Sequence, residues 1–331
     1  MSTESPDRGL DDVAADQRAL IRAFRDNGSA SFDTLGVEAA RASYTAGCAS
    51  NGLLRVELAR VEDMNIGAEQ DLPIRLYSNY PVGSARPVLL FAHGGGWVMG
   101  SPDTHDTLCR YLAAHADVAV VSVDYRLAPE YPYPAAVEDM RTATRWLMDH
   151  GIEHGLDVER VIVGGDSAGG QLAAASAAEC PRVRAQMLLY PVLSLAMDTA
   201  SYHRVQHGFP LTAATMHWFT DLYLGGIATP RDAPDLNPGL HPHPIPTFLS
   251  TVGNDPLCDE GIDYAATLAA CGAPITHIHL PRHAHGLFTS AGVVATGRAV
   301  LDQACVFLAA IAHEEVDRGF APTGEPEGAQ R

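Results

Sequence analysis

The sequence predicts an α/β protein built on a doubly wound, mostly parallel sheet. Three observations carry this expectation. The runs at 88–92, 118–123 and 161–163 are almost continuously apolar, as suits parallel strands covered by helices on both faces. They alternate with helical stretches at 134–149, 168–179, 259–271 and 296–312, the pattern of successive strand-helix-strand units. A chain of 331 residues is long enough for one large domain of this kind with an excursion.

In chain order, residues 1–9 read as disordered. Leu10, Val13, Leu20, Ile21 and Phe24 give an amphipathic helix over 10–25, closed by Asn27-Gly28. Asp33 suits the N-cap of a second helix running to about Ala46 and ended by Gly47. Residues 1–50 precede the first strand and are expected to form part of a helical cap. Alternating patterns at 54–61 and 72–78 predict half-buried strands at an antiparallel edge. The core is expected to span 51–191 and 247–313, with further strands at 187–191, 247–252 and 275–280. Pro134 fits the first residue of its helix, and Gly151 follows that helix's end. Residues 192–246 are too long for a plain crossover. They hold one helical stretch (212–224) and a proline-rich run, and read as a lid excursion. The tail, 314–331, becomes rich in Pro, Gly and Glu and reads as disordered.

Composition excludes several functions. The net charge of −18 disfavours nucleic acid and anionic membrane surfaces as partners. No apolar run approaches the roughly 18–20 residues of a membrane span. The N-terminus lacks a basic stretch followed by an apolar one, so a cytoplasmic location is expected. All 22 basic residues are arginine. Without lysine there is no Schiff base, no covalent pyridoxal phosphate, no Ser-Lys dyad and no Walker-type phosphate loop. The six cysteines are scattered and read as buried thiols. His241-x-His243, His277-x-His279 and His283-x-His285 lack an accompanying HExxH or Cys/His cluster. Neither a metal nor a cofactor is expected.

The chemistry centres on Gly165-Asp166-Ser167-Ala168-Gly169. A buried strand leads in, a good helix former leads out, and a serine sits at the tip, which is the context of a nucleophile elbow. A hydroxyl is a poor nucleophile at neutral pH and needs a base, oriented by a third group. Asp255 and His285 follow in the order acid then histidine, each just past a predicted strand. N-capping is the competing role for Asp255, although Asp259 suits that role at least as well. His283 competes with His285, and Gly286, which permits close backbone approach, favours His285. The loop His93-Gly94-Gly95-Gly96-Trp97 offers bare N–H groups for an oxyanion, together with the N–H of Ala168. Trp97, Tyr202, Phe209, Trp218 and Phe219 are candidates for a substrate pocket, with ordinary packing as the alternative for each.

These motifs, with Asp124-Tyr-Arg-Leu-Ala-Pro-Glu130, Pro134-Ala-Ala-Val-Glu-Asp139 and Asp255-Pro-Leu257, resemble the hormone-sensitive-lipase-like esterases of the α/β-hydrolase superfamily. The similarity covers roughly 70–312. It implies an α/β-hydrolase fold with eight strands, one of them antiparallel, under a cap of the N-terminus and 192–246. It also implies Ser167 as nucleophile, His285 as base, Asp255 as its orienter, and Gly94, Gly95 and Ala168 as oxyanion donors. Leu287, Cys258 and Asn254 depart from common residues of the family, which bears on the pocket and leaves the catalytic groups in place.

The expected function is a metal-independent carboxylic ester hydrolase of the carboxylesterase or acetyl esterase type. It would cleave short-chain acyl esters of a small-molecule substrate through an acyl-enzyme. Dimers are common among similar proteins, which makes a homodimer the assembly to test. Two other readings stand beside it: a biosynthetic acyl transfer, elimination or cyclisation on the same triad, and a ligand-binding receptor on this fold. The plant gibberellin receptor illustrates the second but has lost the catalytic histidine, whereas His285 is present here.

Overall fold

The computed structural model describes residues 9–28, 31–67, 71–81, 85–226 and 233–314. Its strands are β1 (Arg60–Ile66), β2 (Leu72–Ser78), β3 (Arg86–Ala92), β4 (Ala119–Val123), β5 (Leu156–Asp166), β6 (Val183–Leu189), β7 (Thr247–Asn254) and β8 (Ile275–Ala284). They form one sheet in the order β1-β2-β4-β3-β5-β6-β7-β8. β2 runs antiparallel to both neighbours, and every other neighbouring pair is parallel.

The apolar runs predicted a sheet covered on both faces, and alternation shows how. Successive side chains of a strand point to opposite faces. Val88, Leu90, Val161 and Val163 join one core with helices α5 (Ala135–His150), α6 (Ala168–Glu179) and α9 (Cys258–Ala270). Leu89, Phe91 and Ile162 join a second core with α4 (Asp106–His115) and α10 (Ala295–His313). α10, foreseen as a helix at 296–312, is the one helix among the described residues long and apolar enough to cross a membrane. Its Leu301 and Leu308 are fully buried in the second core.

The N-terminal expectations need correction. The helix foreseen at 10–25 is a single tight turn, Leu10–Asp12, an irregular stretch, and α1 (Arg18–Asp26). Tertiary bonding overrides periodicity there, because the Ala14 N–H donates to Arg282 O across the end of β8 (2.8 Å). The second helix is divided at Gly36, whose φ of 76° ends α2 (Phe32–Leu35) before α3 (Val37–Asn51). Ser31, not Asp33, is the N-cap residue of α2. The strand foreseen at 54–61 begins only at Arg60; Leu54, apolar but 89% exposed, pairs with no strand among the described residues. The expected disordered ends fall almost wholly outside the described residues.

Between β6 and β7 lie α7 (Ala200–Arg204) and α8 (Ala213–Leu224). Thr212 caps α8 by accepting from the Thr215 N–H (3.3 Å). α8 meets the N-terminal helices directly: the Thr215 hydroxyl donates to Asp33 Oδ1 (2.9 Å), and the Phe32 and Phe219 rings lie 6.3 Å apart.

Candidate active site

β5 ends at Asp166 and α6 begins at Ala168, so Ser167 alone makes the turn, at φ 55° and ψ −120°. A non-glycine residue there carries strain of order 1–3 kcal/mol, tolerated where surrounding structure enforces it. Here the Ser167 N–H donates to Leu189 O (2.9 Å), and its carbonyl accepts from the Val192 N–H (3.0 Å). The flanking glycines are required by close approach. A Cβ at Gly165 would stand 2.4 Å from the Gly169 carbonyl, and one at Gly169 would stand 2.0 Å from Ala92 O.

Asp255 leaves the end of β7 fully buried. One carboxylate oxygen accepts from the Leu257 N–H (2.9 Å), and the other lies 2.6 Å from His285 Nδ1. The turn-stabilising role and the pairing with histidine therefore coexist in one side chain. A proton on Nδ1 donated to Asp255 leaves Nε2 with its lone pair as an acceptor. Tyr190 packs on the imidazole at 4.1 Å between ring centres. Asp259 does not cap α9, whose N-cap is Leu257; it pairs with Arg204 at 2.9 Å. His283 is engaged elsewhere, with its Nε2 3.1 Å from Asp16. His277 and His279 both contact the Thr251 hydroxyl at 2.9 Å.

The glycine loop corrects one expected donor. The Gly94 N–H donates to Asp166 Oδ1 at 2.7 Å, which commits it away from any oxyanion. Gly95 and Gly96 line the cavity instead, so Gly96, absent from the sequence expectation, joins Gly95. Ala168 opens α6, and the first amides of a helix have no partner within it. Asp166 is 2% exposed and also lies 3.0 Å from His105 Nε2. Burial raises its pKa, but His105 and the Gly94 N–H outweigh that and hold it below the ordinary value. Burial pushes the neighbouring His93 down to about 3, so this ring is neutral.

Ser167 and His285 open into one cavity of about 420 Å³, within the range of small-molecule sites. Its walls include Leu20 and Phe24 of α1, Tyr44 and Cys48 of α3, Tyr190, and Phe219 of α8. The four principal pocket candidates lie outside this lining. Trp97 is fully buried, donates to Gln171 Oε1 (2.8 Å) and stacks on Tyr223. Phe209 belongs to an apolar cluster with Val13, Ile21 and Ala284. Tyr202 is 1% exposed within the main core. Trp218 packs against that core beside Phe219, which takes the lining position next to it. Ser43, Tyr44, Gly47 and Cys48 of α3 also line the cavity, and as part of a helix expected in the cap they were not singled out as pocket walls from the sequence.

A mostly parallel sheet of this order, carrying a serine on a strained strand-to-helix turn, defines the α/β-hydrolase class. Comparison with known proteins agrees. The family described as alpha/beta hydrolase fold matches residues 89–289. Esterase LipI of Mycobacterium tuberculosis is 38% identical over 265 residues, covering 77% of this chain and 83% of that protein. An ethyl acetate hydrolase of Pseudomonas putida is 36% identical over 235 residues, covering 67% of this chain and 73% of its own. Among solved structures, a thermostable esterase from Pseudomonas putida superposes with a TM-score of 0.84 at 32% identity, covering 92% of this chain and 98% of that one. The chain belongs to the hormone-sensitive-lipase-like esterases of the α/β-hydrolase superfamily. It is a serine carboxylic ester hydrolase.

Proposed function

We propose that Ser167 is the nucleophile of an esterase for short-chain acyl esters, with His285 as general base and Asp255 as its orienter. The amides of Gly95, Gly96 and Ala168 receive the oxyanion. The observation that carries this reading is the shared cavity: Ser167 and His285 line it together, with Asp255 2.6 Å behind the imidazole. Ser167 Oγ attacks the ester carbonyl while His285 Nε2 takes its proton. The carbonyl oxygen becomes the oxyanion on the three amides, and collapse releases the alcohol, protonated by His285. Water then repeats the sequence on the acyl-enzyme. α1 to α3 and, from the excursion after β6, Pro210, Leu211 and α8 form the lid over the cavity. The modest cavity supports a small acyl group, and so does the similarity to the ethyl acetate hydrolase of Pseudomonas putida.

The test is a panel of nitrophenyl esters from acetate to decanoate, run on the native enzyme and Ser167→Ala. Native kcat/KM should peak at the short end, and Ser167→Ala should lose on the order of 10³-fold or more in kcat. Undiminished turnover by Ser167→Ala defeats the assignment, and a peak at decanoate defeats the short-chain reading.

A further inference from the structure

The residue ahead of His285 is held from outside the sheet. β8 is an edge strand of the sheet, paired among the described residues only by β7, and an edge leaves backbone N–H and C=O groups pointing outward. At Ala284 both are taken by a single side chain. The Ala284 N–H donates to Gln17 Oε1 at 2.7 Å, and Gln17 Nε2 donates to Ala284 O at 3.1 Å. The amide of Gln17 thus reproduces the pair of bonds that a neighbouring strand would make. Gln17 and Ala284 are both fully buried, so neither bond competes with water. The contact bridges 267 positions of sequence and continues on either side. The Ala14 N–H bonds Arg282 O at 2.8 Å, and Asp16 accepts from the Thr296 N–H at 2.9 Å while meeting His283 at 3.1 Å.

We infer that Gln17 is a positioning residue for His285, fixing the backbone from which the imidazole reaches both Asp255 and Ser167. This rests on the reading of His285 as the base. The imidazole has two demands to meet at once, a 2.6 Å bond to Asp255 behind it and the cavity it shares with Ser167 in front. A rotation of its backbone loosens one when it improves the other. Misplacements near 1 Å in reacting groups cost roughly a hundredfold in rate. Gln17 itself does not line the substrate pocket, so its replacement removes no direct contact to substrate.

Gln17→Ala removes both bonds, and Gln17→Glu keeps the shape and the acceptor but sets an oxygen against Ala284 O. Each variant is assayed per mole of serine labelled to completion by a nitrophenyl phosphonate, beside Ser167→Ala and His285→Ala. The expected result is a kcat per labelled site roughly 10- to 100-fold lower, with KM within about twofold of native. A merely structural role lowers the labelled fraction and leaves kcat per labelled site unchanged, and that outcome overturns the inference. So does a KM that rises while kcat holds. Should Gln17→Ala not fold, the isosteric Gln17→Glu carries the same measurement. If Ser167→Ala and His285→Ala stay active, the catalytic assignment fails instead. If both are inert while the Gln17 variants turn over normally, only the positioning role falls.

Discussion

Asp166, between the elbow glycine and Ser167, offers a sharp test of how the glycine loop is held. Its carboxylate accepts from the Gly94 N–H at 2.7 Å and lies 3.0 Å from the fully buried His105. Asp166→Ala leaves both groups buried without their partner. An unsatisfied buried donor costs about 1–3 kcal/mol, and two buried groups, the Gly94 N–H and His105 Nε2, lose their partner here. The expected loss of stability is therefore about 2–5 kcal/mol. Asp166→Asn keeps a carbonyl for Gly94 and forfeits the charge facing His105, for a loss of about 1–3 kcal/mol. Because Gly94 anchors the loop that carries Gly95 and Gly96, kcat should fall with stability. One oxyanion donor is worth about 10²–10³-fold. Urea unfolding at pH 7, with kcat measured well below the midpoint, reads both quantities. Asp166→Ala within about 1 kcal/mol of native refutes the reasoning, and so does an Asp166→Asn variant less stable than Asp166→Ala.

The same carboxylate predicts a pH dependence. Its folded pKa lies below the ordinary value of 3.8, since His105 and the Gly94 N–H outweigh burial. The unfolded chain then binds the proton first as acid is added. The stabilisation is complete above the ordinary value and is lost as pH falls through the folded one. The gap between native and Asp166→Ala should stay flat near neutrality and close in acid.

Glu260 behaves oppositely: burial pushes its carboxyl well above the ordinary 4.5, although Oε1 accepts from the Leu193 N–H at 2.8 Å. Folding holds a proton that the unfolded chain releases, so stability falls as pH rises past 4.5, by up to about 1.4 kcal/mol per unit. Glu260→Gln keeps the acceptor and should abolish that slope; urea midpoints at pH 4.5 and 7 that run parallel for the two proteins count against it. Phe219 lines the cavity against Gly96, where an added Cβ would stand 2.3 Å from its ring. Phe219→Ala should shift preference toward longer acyl chains by about fourfold in kcat/KM per methylene accommodated, at about 0.8 kcal/mol each. An unchanged hexanoate-to-acetate ratio contradicts this.

What the sequence made legible follows from where information is local. β3, β4 and the second half of β5 were readable because strand segments buried on both faces are apolar at nearly every position. Val88 serves one core and Leu89 the other. Ser167, Asp255 and His285 were readable because each sits within a residue or two of a strand end. The Gly94 donor was misread because the direction of its N–H depends on Asp166, 72 positions away. The break in the first helix has the same origin: Ala14 and Gln17 answer to β8 rather than to their own periodicity. Leu54 fits a strand pattern, but a pattern needs a partner strand, and none pairs with it among the described residues.

The pocket was the least legible part, and α1 shows why. Gln17 is the N-cap residue of this helix, and Leu20, Ile21 and Phe24 follow at spacings of three and four, which places them along one side. From the sequence alone that side is simply apolar. In the fold it contributes wall to the cavity through Leu20, Ile21 and Phe24, while its N-cap residue grips Ala284. One element therefore bounds the substrate and anchors the strand end next to His285. A shift of α1 large enough to widen the cavity would pull on the amide pair at Ala284, whereas a change in α8, which has no bond to that strand end among the described contacts, would not. The acyl pocket and the orientation of the base are thus separable on the α8 side and joined on the α1 side.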